Sequence, residues 1–132
     1  KYTKSGQPNG IAKSGTILYV ANNLSDSVIS YDLVEQKEIA HFSINSPDNL
    51  ILDDDSIWVT SLEHEAVDVL SCPSEQCSLP FNVYSLSSDS LELEKKYSFS
   101  QEVMGLPTVA LPVDDKIWVG SFRLDRLVNF DK

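Results

Sequence analysis

The sequence repeats itself, and the repeat restricts the fold more than any other feature. Three segments align without gaps: PNGIAKSGTILYVAN from Pro8 to Asn22, PDNLILDDDSIWVTS from Pro47 to Ser61, and PTVALPVDDKIWVGS from Pro107 to Ser121. The second and third share the proline, a pair of aspartates, Ile-Trp-Val and a serine at matching places. The first keeps the pattern, with Leu18-Tyr19-Val20 in place of Ile-Trp-Val. Their starts lie 39 and then 60 positions apart. Recurrence at about this period is the signature of stacked supersecondary units.

Each unit reads as strand, tight polar turn, strand. Asn49 to Leu52 is a short apolar run, Asp53-Asp54-Asp55 turns the chain, and Ile57-Trp58-Val59 runs back. Ser14-Gly15 and Asp114-Asp115 supply the same turn chemistry in the other units. Further strands are expected at Ser27–Tyr31, Glu38–Phe42, Phe81–Leu86, Leu91–Phe99 and Arg126–Phe130. No segment reads as a helix; the alternation of Leu91 and Leu93 favours a strand over the helical composition of Ser90–Lys96. Four short strands per unit predict an all-β chain, specifically a β-propeller expected to be six-bladed. The chain would cover about three four-stranded blades, approximately 8–46, 47–106 and 107–132, with an insertion near 66–80. The last of these lacks the sequence for an outer strand. A sandwich also has many short strands, but it does not require the same unit to recur. Three blades do not close a ring, so either a companion chain completes it or an N-terminal half is missing here.

Composition narrows the partners. The 132 residues carry 20 acidic and 10 basic side chains, a formal charge of −10. Such a surface repels phosphate backbones, so nucleic acid is not an expected partner. No apolar run has the length of a transmembrane segment. Cys72 and Cys77 flank Pro-Ser-Glu-Gln; the pair reads either as a short-loop disulfide, which implies a secretory compartment, or as two free thiols.

In a propeller the loops entering the innermost strands gather around the central channel. Here they hold Pro8-Asn9-Gly10, Pro47-Asp48-Asn49 and Pro107-Thr108. Asn9, Asp48 and Asn49 then converge from adjacent units. Two amide oxygens and a carboxylate suit a hard cation such as calcium, which takes six to eight oxygens. The same tripeptides are also ordinary turn sequences. Trp58 and Trp118, at equivalent strand positions, are expected to pack between sheets. No Gly-x-Ser-x-Gly elbow, phosphate-binding loop or dinucleotide fingerprint is present.

The runs PNGIA…LYVAN…SVISYD, PDNLILDDDSIWV and GLPTVAL…KIWVGS resemble, in order and spacing, the C-terminal half of paraoxonase-type arylesterases and lactonases. More broadly they resemble the six-bladed propellers of the senescence-marker and strictosidine-synthase-like group. The resemblance covers nearly the whole chain outside the cysteine insertion. It implies a calcium-dependent hydrolase of small-molecule lactones or aryl esters, secreted or in the secretory-pathway lumen. Asn9 matches the family's Asn-Gly asparagine, and Asp48 and Asn49 match its Asp-Asn pair. The remaining ligands, a glutamate and another asparagine, would lie in blades absent here. Thr108 falls at a pocket-wall position. Where the family often carries a histidine after Trp-Val-Gly, this chain has Leu62. His64, two residues on, is the nearest substitute for a place in the pocket, although a surface loop is the plainer reading; His41, on an outer strand, is read as structural. The loss at Leu62 supports the alternative reading, a non-catalytic propeller that binds protein or ligand as a scaffold.

Overall fold

The computed structural model describes residues 7–63, 66–72, 79–100, 104–123 and 125–132. The chain is all-β. Among the described residues, eleven strands form three antiparallel sheets, each a meander of consecutive strands. Sheet I is β1 (Pro8–Ser14), β2 (Ile17–Asn22), β3 (Ser27–Asp32) and β4 (Lys37–Ser43). Sheet II is β5 (Pro47–Asp53), β6 (Ser56–Leu62), β7 (Phe81–Ser87) and β8 (Leu93–Phe99). Sheet III is β9 (Pro107–Val113), β10 (Lys116–Ser121) and β11 (Val128–Asp131). None of them closes on itself.

The repeat accounts for the hairpins. β1–β2, β5–β6 and β9–β10 are each joined by two residues, and the first of these has positive φ: Gly15 (53°), Asp54 (49°) and Asp114 (53°). Gly and Asp are among the side chains that tolerate this region, so the turn acids serve the backbone and project into solvent.

Sheet II lies between the other two. One face carries Leu50, Ile57, Val59, Tyr84 and Leu86, which pack with Tyr19, Ala21 and Val28 of sheet I. The opposite face carries Trp58, Phe81 and Val83, which pack with Ala110, Ile117 and Val119 of sheet III. Alternation along each strand thus fills two separate apolar layers. Aromatic rings reinforce the second layer: Phe81 stacks on Phe99 and Phe130 tilts against Phe99 and Tyr97. The strands that begin each sheet, β1, β5 and β9, are neighbours in that order.

Two expectations need correction. The β6–β7 connection contains a short helix, α1 (Ala66–Ser71), where the sequence reading placed none. Six residues with two valines give too little periodicity to register; Asp68 in its first turn is the favourable local signal. Trp58 is 5% exposed and packs between sheets as expected, whereas Trp118 is 38% exposed. Identical strand positions have different fates because sheet II has a neighbour on that side and sheet III has none among the described residues.

Candidate cation site at the entrances of β1, β5 and β9

The prolines that open the repeats begin strands, and each strand is irregular directly after its proline. In β1, Pro8 pairs with Asn22 and Ile11 with Val20, so Asn9 and Gly10 oppose the single residue Ala21. In β5, Pro47 pairs with Ser61 and Leu50 with Val59, so Asp48 and Asn49 oppose Thr60. In β9, Pro107 pairs with Ser121 and Val109 with Gly120, leaving Thr108 as the extra residue. Asn9, Asp48, Asn49 and Thr108 therefore all sit in bulges, which twist a strand and re-aim its side chains. The plain-turn alternative for these tripeptides does not hold: they lie inside strands.

The residue before each proline has positive φ: Gln7 (51°), Ser46 (39°) and Leu106 (48°). A side chain in this region costs about 1 kcal/mol or more, and the position before proline disfavours helical geometry further. Hydrogen bonds hold the arrangement. Ser61 Oγ donates to the Asn45 carbonyl at 2.5 Å, and Ser121 Oγ donates to the Gly105 carbonyl at 2.6 Å. These serines occupy the same place in the second and third repeats, which explains their recurrence. Asn23 bridges the first two sheets, its Nδ2 donating to Pro47 O at 3.0 Å and to Ser46 Oγ at 3.2 Å.

Neighbouring bulges bring two of the expected ligands together. The Asn9 side chain hydrogen-bonds the Asp48 carboxylate. Burial pushes the Asp48 carboxyl from 3.8 up to about 6, against the opposing pull of the Asn9 hydrogen bond. Gly10 makes this approach feasible: a Cβ there would sit 2.7 Å from Asn49 Cα, 2.7 Å from Leu50 N and 2.8 Å from Asp48 O. Asn49, half-buried, is thus held against the β1 backbone. Thr108 lies on the next strand over, and its carbonyl accepts a 3.0 Å bond from Thr60 Oγ1. Gly10 is the position in this candidate site that sequence reasoning missed; its signal was the Asn-Gly pair, of which only the asparagine was singled out.

The β6–β7 connection leaves the sheets at this same end, since Leu62 pairs with Phe81 and Pro47 with Ser61. Arg123, in the β10–β11 connection, donates to the Cys72 carbonyl at 3.2 Å and ties the insertion to sheet III. His64 and Cys77 lie outside the described residues; among those described no cysteine is free. His41 sits on the outermost strand of sheet I, 3.5 Å from Glu38, well removed from Asn9 and Asp48.

A pH dependence follows. The folded protein holds the Asp48 proton more tightly than the unfolded chain does, so ionisation of Asp48 opposes folding. This contribution is absent below pH 3.8, grows as pH rises towards about 6, and is complete above that. In chelator-treated buffer, Asp48→Asn is therefore expected to flatten the decline in urea midpoint across that window. A slope equal to that of the wild type would show that the carboxyl titrates normally.

The donor set is oxygen-rich and incomplete. One half-buried carboxylate and adjacent amides fit a hard cation, while among the described residues no three His, Cys, Asp or Glu side chains cluster. No protein-family model matches this chain, and no curated protein matches it significantly.

Proposed function

We propose that this chain forms half of a six-bladed propeller whose channel mouth holds calcium, and that the assembled ring hydrolyses lactones or aryl esters. The observation that carries the proposal is the meeting of Asn9 and Asp48 across adjacent, equivalently bulged strands, where burial has raised the carboxyl. A partly desolvated carboxylate beside amide side chains gains more from a cation than a fully solvated one does, because part of the water it would lose is already gone. The three side-by-side meanders and the order β1, β5, β9 support the propeller reading.

Asp48, Asn9 and Asn49 are the ligands in this proposal, and the rest of the shell comes from the other blades. Bound there, calcium supplies a Lewis acid for the ester carbonyl and a counter-charge for the developing oxyanion. Thr108 forms part of the wall, fixed by Thr60 through its carbonyl. The base that activates water belongs to the remainder of the ring. Pairing of Cys72 with Cys77, and with it a secretory compartment, belongs to the same reading.

Calorimetric titration of the complete ring, including any companion chain, with calcium is the direct test. The wild type is expected to bind, and Asp48→Ala to abolish binding while leaving the far-ultraviolet circular dichroism unchanged. Unaltered affinity in that variant would remove Asp48 from the ligand set. The scaffold alternative is favoured by Leu62, a buried aliphatic where the resemblance expects a histidine. Calcium binding without turnover of any lactone or aryl ester by the complete ring would select it.

A further inference from the structure

For Asn9 to meet Asp48, β1 and β5 must enter their sheets at a fixed separation. The β2–β3 connection, Asn23 to Asp26, lies at that end of sheet I, where Pro8 pairs with Asn22. Asn23 grips both entrances. Its backbone N–H donates to Gln7 O at 3.1 Å, two residues before Asn9. Its side-chain Nδ2 donates to Pro47 O at 3.0 Å, directly before Asp48, and to Ser46 Oγ at 3.2 Å. Asp26 adds a second hold. Its Oδ1 accepts from Ser46 N at 2.8 Å, and its carbonyl accepts from Ile44 N at 2.9 Å.

These bonds are not ordinary turn chemistry. Asn and Asp in a tight connection bond the backbone about two residues on. Here the side-chain partners lie 20, 23 and 24 residues away, at the entrance of the next sheet. Ser46 is held from three sides: at N by Asp26, at Oγ by Asn23, and at O by Leu62 N at 3.3 Å. Its φ of 39° is unfavourable for a residue with a side chain. A strained residue persists where its surroundings over-determine it, and such residues gather where position matters to function. The next corner of the molecule is an internal control. The repeat aligns Leu62 with Asn23, and Leu62 keeps only the equivalent backbone bond, the one to Ser46 O. The strand beyond that corner carries Thr108 in the place of Asp48. The side-chain clamp thus stands between the two strands that bear Asn9 and Asp48.

We propose that Asn23 and Asp26 are positioning residues for the cation site: they fix the entrance of β5 against that of β1 and so hold Asn9 and Asp48 together before a cation arrives. The proposal rests on the cation reading of the site and adds what preorganises its ligands. Supporting partners behind metal ligands are worth about tenfold to a hundredfold in affinity. Asp26 is exposed, so its effect separates readily from packing.

The test uses the complete ring, including any companion chain, with three readouts: calcium affinity by calorimetry, the urea midpoint, and the Asn9 side-chain amide resonance in calcium-free buffer. That resonance is assigned by its loss in Asn9→Ala. Asn23→Leu copies the residue at the equivalent corner and removes the side-chain bonds; Asn23→Ser, too short to reach Pro47 O, serves if it loses the wild-type circular dichroism. Asp26→Gly removes the carboxylate and keeps the left-handed backbone, whereas Asp26→Asn keeps an acceptor oxygen. Asn23→Leu and Asp26→Gly are each expected to weaken calcium binding about tenfold and to shift the Asn9 resonance, with Asp26→Asn at wild-type values in both. A lowered midpoint with unchanged calcium affinity and an unmoved Asn9 resonance would make the clamp structural only and overturn the proposal. Asp26→Asn as weak as Asp26→Gly would overturn positioning by Asp26, since its charge would then be what acts. A wild type that binds no calcium overturns the cation reading instead; the Asn9 resonance then decides the clamp, which stands if both variants shift it and falls if neither does.

Discussion

Replacing Trp58 with alanine is expected to destabilise the protein by about 3–5 kcal/mol, the range for removing a large buried aromatic. Its indole is 5% exposed and closes the layer between sheets II and III, among Phe81, Val83, Ala110, Ile117 and Val119. It also stacks on Tyr97, with ring centroids 6.3 Å apart and planes at 25°. Strands on both sides are pinned by paired neighbours, so they cannot move in to fill the space. Urea denaturation followed by circular dichroism measures the effect. A loss below about 1 kcal/mol would mean that the two sheets are not packed through this side chain.

Gly10→Ala is the second large effect, expected at about 3 kcal/mol because one methyl group meets backbone and cannot be relieved by a rotamer change. The three obstructing atoms, Asn49 Cα, Leu50 N and Asp48 O, lie at 2.7, 2.7 and 2.8 Å. They belong to a strand held by β6 on its other side. Gly10 does not have positive φ, so the loss comes from crowding and not from backbone conformation. Relief requires β1 to move off β5, which also parts Asn9 from Asp48. A denaturation midpoint equal to that of the wild type would show that the two strands stand further apart than this.

Much of the fold was legible in the sequence, because a repeat reports the same local structure three times. The prolines, the turn acids and the Ile-Trp-Val runs marked strands that the structure places close to their expected positions. Asn9 and Asp48 could be paired in advance for the same reason, sharing one place in the unit. Other features had no such signal. Gln7, Ser46 and Leu106 adopt the same left-handed conformation with no side-chain chemistry in common, so only the backbone reveals them. The crowding at Gly10 depends on how near β5 lies, which composition does not record. Trp118 matched Trp58 in every local respect, and its exposure is decided by a neighbouring sheet and not by its own strand. Helix α1 was missed because a single short turn is stabilised by its surroundings more than by its residues.

The pairing of Leu62 with Phe81 has a consequence for how the protein can change. β6 and β7 are zipped to the very root of their connection, where Glu63 N also donates to Pro80 O at 3.1 Å. The entropy of closing a connection between such anchors grows only with the logarithm of its length, so a doubling costs about 0.6 kcal/mol. Insertions and deletions there leave every strand pair untouched. That connection rises at the end of the molecule where Asn9, Asp48 and Thr108 sit. The segment most tolerant of drift is therefore the one beside the candidate site, so ligand preference can diverge between descendants of this sequence while the sheets beneath stay the same.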